Sequence, residues 1–329
     1  MLRNLTVLVI ATTLACGGQG PSGPADVPSG PSGPTEVPAP DGYLWRLLTK
    51  AAEWPPERAL NHTFSFGDHI WLMDDRVGDW RTEDGSAWTT FSPSVPARGF
   101  GHEILPFGGR LVGLRRDGAT DELWGSQDGE TWSRIGEGPP LTSSGHTAVV
   151  FRDQLWLFRA DRIEEPYAWA TSNGVQWTQA ATPPWGPRGD FRLVVYDGRL
   201  WAIGGRRSVN RNPDDLVAVN DSWVTADGVT WERRGWDLDW PFRLYYGVAA
   251  WDGKLWLIGG GEGGDDGERN DVWTSTDGAH WELFEAEAPW TGRFAMSTVI
   301  HRDRLFMFAG KEGPEEFLND VWSLERSGR

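Results

Sequence analysis

Residues 247–288 read GVAAWDGKLWLIGGGEGGDDGERNDVWTSTDGAHWELFEAEA and contain one complete structural unit. Val248–Trp251 predicts a short apolar strand. Asp252-Gly253 predicts a hairpin turn, because glycine adopts positive φ at little cost. Lys254–Ile258 predicts a second strand, which ends at Gly259-Gly260. The first half of the unit is therefore a two-stranded antiparallel hairpin.

The second half of the unit predicts another hairpin. A third strand is expected around Asp271–Trp273, after a loop. Asp277-Gly278 then turns the chain, and Trp281 follows on a fourth strand. Both a two-residue turn and a three-residue turn with a glycine bulge are open here. The whole unit is a sheet of four short strands.

This unit recurs along most of the chain. Five Asp-Gly or Asn-Gly pairs are spaced about 44 to 54 residues apart, a period typical of β-propellers. A tryptophan stands four residues before and four residues after the first residue of each pair. These first residues are Asp84, Asp128, Asn173, Asp227 and Asp277. The chain has 22 tryptophans and 42 glycines, as expected if each unit reuses the same packing device.

The chain ends after the third strand of its last unit, at Asn319–Trp322. The missing fourth strand is found at the other terminus, because residues 45–58 align with residues 281–293. Joining them closes a ring and removes exposed sheet edges. We therefore predict an all-β fold: a six-bladed β-propeller of four-stranded antiparallel blades, closed by the N-terminal strand joining the C-terminal blade.

The first residues are typical of an export signal. Arg3 precedes an apolar stretch over Leu5–Ala15, which is too short for a membrane-spanning helix. Thr13-Leu14-Ala15-Cys16 resembles a bacterial lipobox, which implies that Cys16 carries a lipid. An ordinary signal peptide cut just past Cys16 is the alternative. The predicted organisation is a signal peptide at 1–16, a disordered Gly/Pro/Ser tether at 17–41 and a propeller at 42–329.

Composition narrows the function classes. The formal net charge is −16, which disfavours nucleic acid, since phosphate binding needs clustered Lys and Arg. Cys16 is the one cysteine, so an internal disulfide and cysteine-based zinc sites are excluded. We expect an exported protein, lipid-anchored to the cell envelope at the outer membrane or the cell surface, and a monomer.

The units resemble Kelch repeats over roughly residues 43–326. The resemblance is carried by Ile203-Gly204-Gly205 and Ile258-Gly259-Gly260, each followed by a loop and an Asn-Asp-x-Trp sequence, Asn220–Trp223 and Asn270–Trp273. The first three blades lack the double glycine. The resemblance implies the propeller fold and little about function, because propellers host many activities.

Known propeller chemistries leave few matches in this sequence. Galactose oxidase shares the Kelch-type fold, but its radical cofactor needs a Tyr–Cys crosslink, and Cys16 lies outside the propeller. The turn at 275–281 resembles the sialidase Asp box, with one residue fewer between Asp and Gly, and no sialidase Arg-Ile-Pro start is present. We predict no catalytic residue and no cofactor. A sialic-acid mutarotase of the bacterial Kelch type stays open.

Five arginines form the main candidate binding site. They stand just before the first strand of five blades, so their guanidiniums are expected near one mouth of the central channel: Arg58, Arg98, Arg188, Arg243 and Arg293. One interpretation is bidentate binding of a carboxylate or phosphate ligand. The other is an architectural role, in which each arginine pairs with a neighbouring carbonyl or with Asp221 or Asp271.

Three histidines follow the arginine positions in consecutive blades: His62, His102 and His146. They are weak candidates for a metal site, and a structural role is the alternative. The acidic loop at 261–268 lacks a recognised calcium spacing and is expected to be solvated.

Long loops between second and third strands are expected on one face of the propeller, at about 206–220, 261–270 and 311–319. We therefore predict an envelope binding protein that uses this loop-rich face to bind a protein or glycan. The alternative function is an enzyme acting on an anionic sugar, and a purely structural envelope protein is a third.

Overall fold

The computed structural model describes residues 35–56, 62–74, 76–95, 100, 104–117, 120–141, 145–161, 163–208, 216–261, 267–313 and 316–328. Their regular structure is β-strand, apart from one 3₁₀ turn over Pro40–Gly42. None of these residues forms a helix long and apolar enough to cross a membrane. The predicted signal peptide, Cys16 and residues 17–34 of the tether lie outside the described residues.

Blades 1 to 3 are four-stranded antiparallel sheets. Their strands are β3 (His62–Phe66), β4 (His69–Asp74), β5 (Gly78–Thr82) and β6 (Thr89–Thr90); β7 (Leu105–Phe107), β8 (Arg110–Asp117), β9 (Thr120–Ser126) and β10 (Trp132–Glu137); and β11 (His146–Phe151), β12 (Gln154–Arg159), β13 (Ala168–Thr171) and β14 (Thr178–Gln179).

Blades 4 and 5 repeat this order, and blade 4 adds a two-stranded hairpin between its second and third strands. Blade 4 contains β15 (Arg192–Tyr196), β16 (Arg199–Ile203), β19 (Ser222–Thr225) and β20 (Trp231–Gly235), with the hairpin β17 (Arg206–Ser208) and β18 (Leu216–Ala218). Blade 5 contains β21 (Gly247–Trp251), β22 (Lys254–Gly261), β23 (Glu268–Ser275) and β24 (Glu282–Glu285).

Blade 6 is built from both ends of the chain, as the sequence predicts. Its strands are β25 (Ser297–His301), β26 (Arg304–Phe308), β29 (Val321–Arg326) and the N-terminal β2 (Tyr43–Thr49), with a small hairpin of β27 (Lys311–Glu312) and β28 (Glu316–Phe317). β2 pairs antiparallel with β29, with Trp45 opposite Leu324. The six blades form a closed ring, the predicted β-propeller.

The N-terminal segment contributes one strand more than predicted. Residues 35–39 fall within the predicted tether but form β1 (Thr35–Ala39), which pairs with β2 as a fifth strand. Only Val37 and Ala39 of β1 are partly buried, an alternation too short to predict a strand from the sequence. β2 offers unpaired backbone groups at the rim of blade 6, and Val37 and Ala39 pack against the core beside it.

Asparagines hold the links between blades in a repeated way. Asn220 Nδ2 donates hydrogen bonds of 2.9 Å to the carbonyls of Leu238 and Trp240. At the closure, Asn319 Nδ2 donates in the same way to Ala52 at 3.0 Å and to Trp54 at 2.9 Å. Residues 52–54 therefore take the place that residues 238–240 take in blade 4.

Tryptophans fill the spaces between neighbouring blades. Trp185 is buried and its ring centroid lies 4.7 Å from Trp231 in blade 4 and 6.3 Å from Phe158 in blade 3. Trp156 of blade 3 covers Gly228 in a turn of blade 4. Buried indoles therefore join neighbouring blades to one another.

The turns between strands follow two patterns. Asp252 and Gly253 both have positive φ and form the predicted two-residue hairpin turn between β21 and β22. The turn between third and fourth strands is longer than either predicted form, since Thr225 pairs with Trp231 and leaves residues 226–230 in the loop. Asp227 stabilises this longer turn by accepting hydrogen bonds from the amides of Val229 and Thr230.

Candidate functional site

The antiparallel strand order brings two kinds of connection to the same end of the sheets. These are the loops between second and third strands and the links between blades; we call this the loop-rich end. The opposite end carries the hairpin turns, such as Asp252-Gly253. Side chains on the irregular connections can vary without breaking the hydrogen-bonded ladders, so we expect a binding site at this end.

Three of the predicted binding arginines lie at this end but are buried. Arg188, Arg243 and Arg293 expose 3%, 0% and 0% of their surface. Each makes a two-pronged ion pair within its own blade: Arg188 with Asp221, Arg243 with Asp271 and Arg293 with Asp320, at 2.5 and 2.8 Å in each case.

Each arginine also contacts the end of a second strand, and we call this set of contacts the clamp: it joins the link before a blade to the second and third strands of that blade. Arg243 Nη1 also donates to the carbonyl of Gly259, at 3.1 Å, at the end of the second strand. Asp271 in turn accepts the indole N–H of Trp273 at 2.8 Å. The pairing of arginine with Asp221 and Asp271, given above as the architectural alternative, is present in the structure.

The clamp occupies the donors that a ligand would need. Binding of a ligand by Arg188, Arg243 and Arg293 stays a prediction that no described contact supports. Arg58 and Arg98 lie outside the described residues.

The electrostatics of the clamp are those of a stable ion pair. Burial by itself would raise the pKa of Asp271, but the hydrogen bond and the charge of Arg243 outweigh it and hold the pKa below its usual value. Asp271 is therefore ionised at neutral pH, as its role as a double acceptor requires.

The predicted histidines are separated into different environments. His62 is buried, and its ring lies 6.1 Å from that of Phe100. His146 Nε2 makes a 2.8 Å hydrogen bond with the hydroxyl of Tyr167. His102 lies outside the described residues, as do residues 262–266 of the acidic loop. Within the described part of the chain, no three His, Cys, Asp or Glu side chains are grouped to hold a metal ion.

A cavity of about 160 Å³ opens at the loop-rich end of blade 4. It lies between the β17–β18 hairpin and the link that leaves β20. Its lining residues are Arg207, Val217, Ala218, Val219, Asn220, Asp221, Trp236, Asp237 and Phe242. This cavity was not predicted from the sequence.

The walls of this cavity are unusually apolar for a surface. Trp236 exposes 58% of its area, Phe242 48% and Val217 38%. Trp236 is the one exposed tryptophan among the described residues. Large exposed apolar side chains that share one concavity mark a binding surface more often than scattered ones do.

Charged groups surround the apolar walls. The Arg233 guanidinium lies over the Trp236 ring, 5.1 Å from its centroid. Arg207 and Asp237 both line the cavity and are exposed. Neither forms an ion pair with another described residue. The cavity therefore combines two aromatic faces with two positive groups, Arg207 and Arg233, and one negative group, Asp237.

A second row of side chains crosses the loop-rich end between blades 4 and 6. Arg206 pairs with Asp190 and donates to the hydroxyl of Tyr245 at 2.8 Å. The Lys311 ammonium lies between two rings, 5.9 Å from Phe294 and 5.4 Å from Phe317. Arg206 and Asp190 already form an ion pair with each other, so the cavity at Trp236 is the better candidate for a binding site.

The repeat itself explains why the cavity was missed. Most tryptophans in this chain stand at repeated positions that pack between blades. A further tryptophan is therefore easily assigned to the buried core as well. Trp236 stands five residues after the repeat position Trp231, where no other blade has an aromatic residue in register. That departure from the register is the signal that could have found it.

Comparison with known proteins supports the fold and leaves the function open. No family model matches the chain, and no curated protein matches it. Among solved structures, one titled "Structure of YjhT" superposes with a TM-score of 0.60 at 11% identity and covers 82% of this chain and 95% of that one. Since 423 solved chains are similar, the propeller does not select one activity.

Proposed function

We propose that this chain is a cell-envelope binding protein, anchored by lipid at Cys16, whose loop-rich end binds a protein or glycan. The observation that carries the proposal is the cavity at Trp236, where exposed Trp236, Phe242 and Val217 surround a concave site. Exposing such side chains costs solubility without stabilising the blade, so a ligand that covers them accounts for their presence. The Kelch-like repeat pattern is consistent with a scaffold of this kind.

Binding is tested with the purified protein on arrays of glycans and of proteins or peptides from bacterial envelopes. Wild type is compared with Trp236→Ala and Phe242→Ala, and the matched control is Val175→Ala, at an exposed valine of a turn in blade 3. We expect binding without chemical change of the ligand, weakened at least tenfold in the two cavity variants and unchanged in the control. Equal binding by all four proteins would refute the assignment of this site.

The anchor rests on the sequence around Cys16. Acylation is tested by mass spectrometry of the mature N-terminus and by partition into detergent, for wild type and Cys16→Ala. We expect a diacylated cysteine at the N-terminus of the wild type and loss of detergent partition in the variant. A mature wild-type N-terminus that lies after residue 16 would instead support an ordinary signal peptide.

An enzyme acting on an anionic sugar is the second candidate. It stays open because the units resemble Kelch repeats and the propeller superposes on the solved structure of YjhT. The test is NMR of acidic monosaccharides with catalytic amounts of protein, which detects anomer exchange as well as bond cleavage. Protein-dependent exchange, dependent on a loop-rich-end residue such as Arg206, would favour this candidate over simple binding.

A further inference from the structure

The cavity at Trp236 runs along the edge of a strand. Its lining includes five consecutive residues, Val217 to Asp221. Residues 219–221 lie beyond β18, and the carbonyl of Asn220 accepts the amide of Leu238. Within β18, successive side chains point to opposite faces, so a cavity lined by both Val217 and Ala218 reaches the edge of the strand. β18 therefore presents its backbone as well as its side chains to the cavity.

β18 has an open edge in the described structure. It pairs with β17 on one side, through Arg206 with Ala218, Arg207 with Val217 and Ser208 with Leu216, and this sheet contains no third described strand. In an antiparallel pair, alternate residues direct their N–H and C=O to the partner and the others direct them outward. β18 thus carries outward donors and acceptors that an added strand could use.

The wall facing this edge suits one large apolar side chain. Trp236 and Phe242 are exposed and line the same cavity of about 160 Å³. A cavity of about 150 Å³ is large enough for a benzene ring. A peptide backbone laid along β18 could therefore place one aromatic or branched side chain against these two rings.

The charge at the rim favours an acidic neighbour in the ligand. Arg207 lies on β17, beside the cavity, and its exposed guanidinium makes no ion pair within the described residues. The nearby arginines differ from it: Arg206 is paired with Asp190, and Arg188 with Asp221. Arg207 and Arg233, whose guanidinium lies over Trp236, are thus two cations without an ion pair among the described residues, against one such acid, Asp237, and they favour a carboxylate from outside.

We propose that an extended polypeptide segment binds as a third strand on β18, inserting one aromatic or branched apolar side chain against Trp236 and Phe242 and placing an acidic side chain beside Arg207. This deepens the proposed binding function and rests on it. The proposed ligand is therefore a protein, and binding of a glycan at this site would contradict the proposal.

The probe is an array of acetylated, amidated eight-residue peptides, in which a central residue and its acidic neighbours are varied. Peptides that bind are then N-methylated at one amide at a time and measured by fluorescence anisotropy with the full protein. We expect selection for a central aromatic or branched apolar residue with an adjacent Asp or Glu. N-methylation should weaken binding at least tenfold at every second amide near the centre and little at those between, since only alternate amides face β18.

Variants of the cavity distinguish failure of the added-strand proposal from failure of the proposed binding function. Trp236→Ala and Arg207→Glu should each weaken peptide binding at least tenfold, Val175→Ala should leave it unchanged, and circular dichroism should show all three folded. An N-methyl scan with no alternation, or no selected peptide at all, would overturn the added strand. If glycans bind instead and Trp236→Ala abolishes that binding, the result supports the proposed binding function and refutes the peptide ligand. If no ligand on either array depends on Trp236, the result refutes both the binding function at this cavity and the peptide ligand.

Discussion

At the scale of single residues, the clamp formed by Arg243 and Asp271 shows how the repeat uses charge. The guanidinium is fully buried, so its interaction with the carboxylate is little screened by solvent. The same pair recurs as Arg188 with Asp221 and Arg293 with Asp320. Breaking one partner of such a buried pair leaves an uncompensated charge, which costs more than the intact pair contributes.

We predict that Arg243→Ala lowers the free energy of unfolding by about 3 to 5 kcal/mol, because Asp271 loses its partner and four donated hydrogen bonds are removed. The control is Arg234→Ala, which removes an exposed pair with Glu232 at 3.3 Å and should cost less than about 1 kcal/mol. Urea unfolding of both variants measures the difference. Similar losses in the two variants would contradict the clamp.

Titration of a single turn residue provides a second test. The Thr230 amide hydrogen bond is the largest cause that holds the pKa of Asp227 at about 2; partial burial acts in the opposite direction, and the Val229 amide and Thr225 hydroxyl add to the lowering. The usual pKa of an aspartate is about 3.9. The folded state therefore binds fewer protons, and this carboxylate stabilises the fold at neutral pH and stops doing so as the pH falls from about 4 to about 2.

We predict that Asp227→Asn loses part of the acid dependence of stability in that window while costing less than about 1 kcal/mol at pH 7, because the amide oxygen still accepts the turn amides. Blade 3 already uses this solution: Asn173 accepts from Val175 and Gln176, both at 2.9 Å. Asp227→Ala should cost about 1 kcal/mol more at pH 7. The measurement is thermal unfolding at several pH values. If Asp227→Asn and wild type lose the same stability as the pH falls from about 4 to about 2, Asp227 does not titrate as described.

At the scale of elements, the blades depend on close approach between an indole and a turn. Gly228 has φ of +81°, and a Cβ there would lie 2.4 Å from atoms of the Trp156 ring in blade 3. Gly278 lies against Trp201 in the same way. Glycine is therefore required for two reasons: the backbone has positive φ, and a side chain would overlap the tryptophan of the neighbouring blade.

We predict that Gly228→Ala lowers the free energy of unfolding by about 2 to 5 kcal/mol, combining backbone strain with the overlap on Trp156. Gly253→Ala separates the two terms. Gly253 has φ of +72° but nothing within 4 Å of the added Cβ, so the cost should be about 1 to 2 kcal/mol. Chemical denaturation compares the two. Equal effects would mean that the contact between blades contributes nothing at this position.

The elements also show what the sequence could predict and what it could not. Blade number, the Asp252-Gly253 hairpin and the joining of β2 to blade 6 followed from spacing, since the period and the turn residues are local signals. β1 did not, because its pairing with β2 is accompanied by only two partly buried side chains, Val37 and Ala39, in a segment otherwise typical of a linker. The cavity at Trp236 was missed because burial depends on tertiary neighbours, and the sequence shows a tryptophan without showing what covers it.

At the scale of the whole molecule, both ends of the chain are held in one sheet. Trp45 of β2 is fully buried and donates its indole N–H to Glu285 of blade 5 at 2.7 Å. Tyr43 donates to Asp252 at 2.5 Å, and the Arg326 guanidinium lies over its ring. The ring closure therefore involves contacts to blade 5 as well as pairing inside blade 6.

Native-state hydrogen exchange of residues 43–49 tests this closure most directly. β2 lies between β1 and β29, so its amides should exchange only when the whole propeller unfolds. We predict that the opening free energies of Trp45 and Leu47 equal the global free energy of unfolding and match those of the core strand β22 in blade 5. Rapid exchange at residues 43–49, with β22 still protected, would contradict a ring closed by the N-terminal strand.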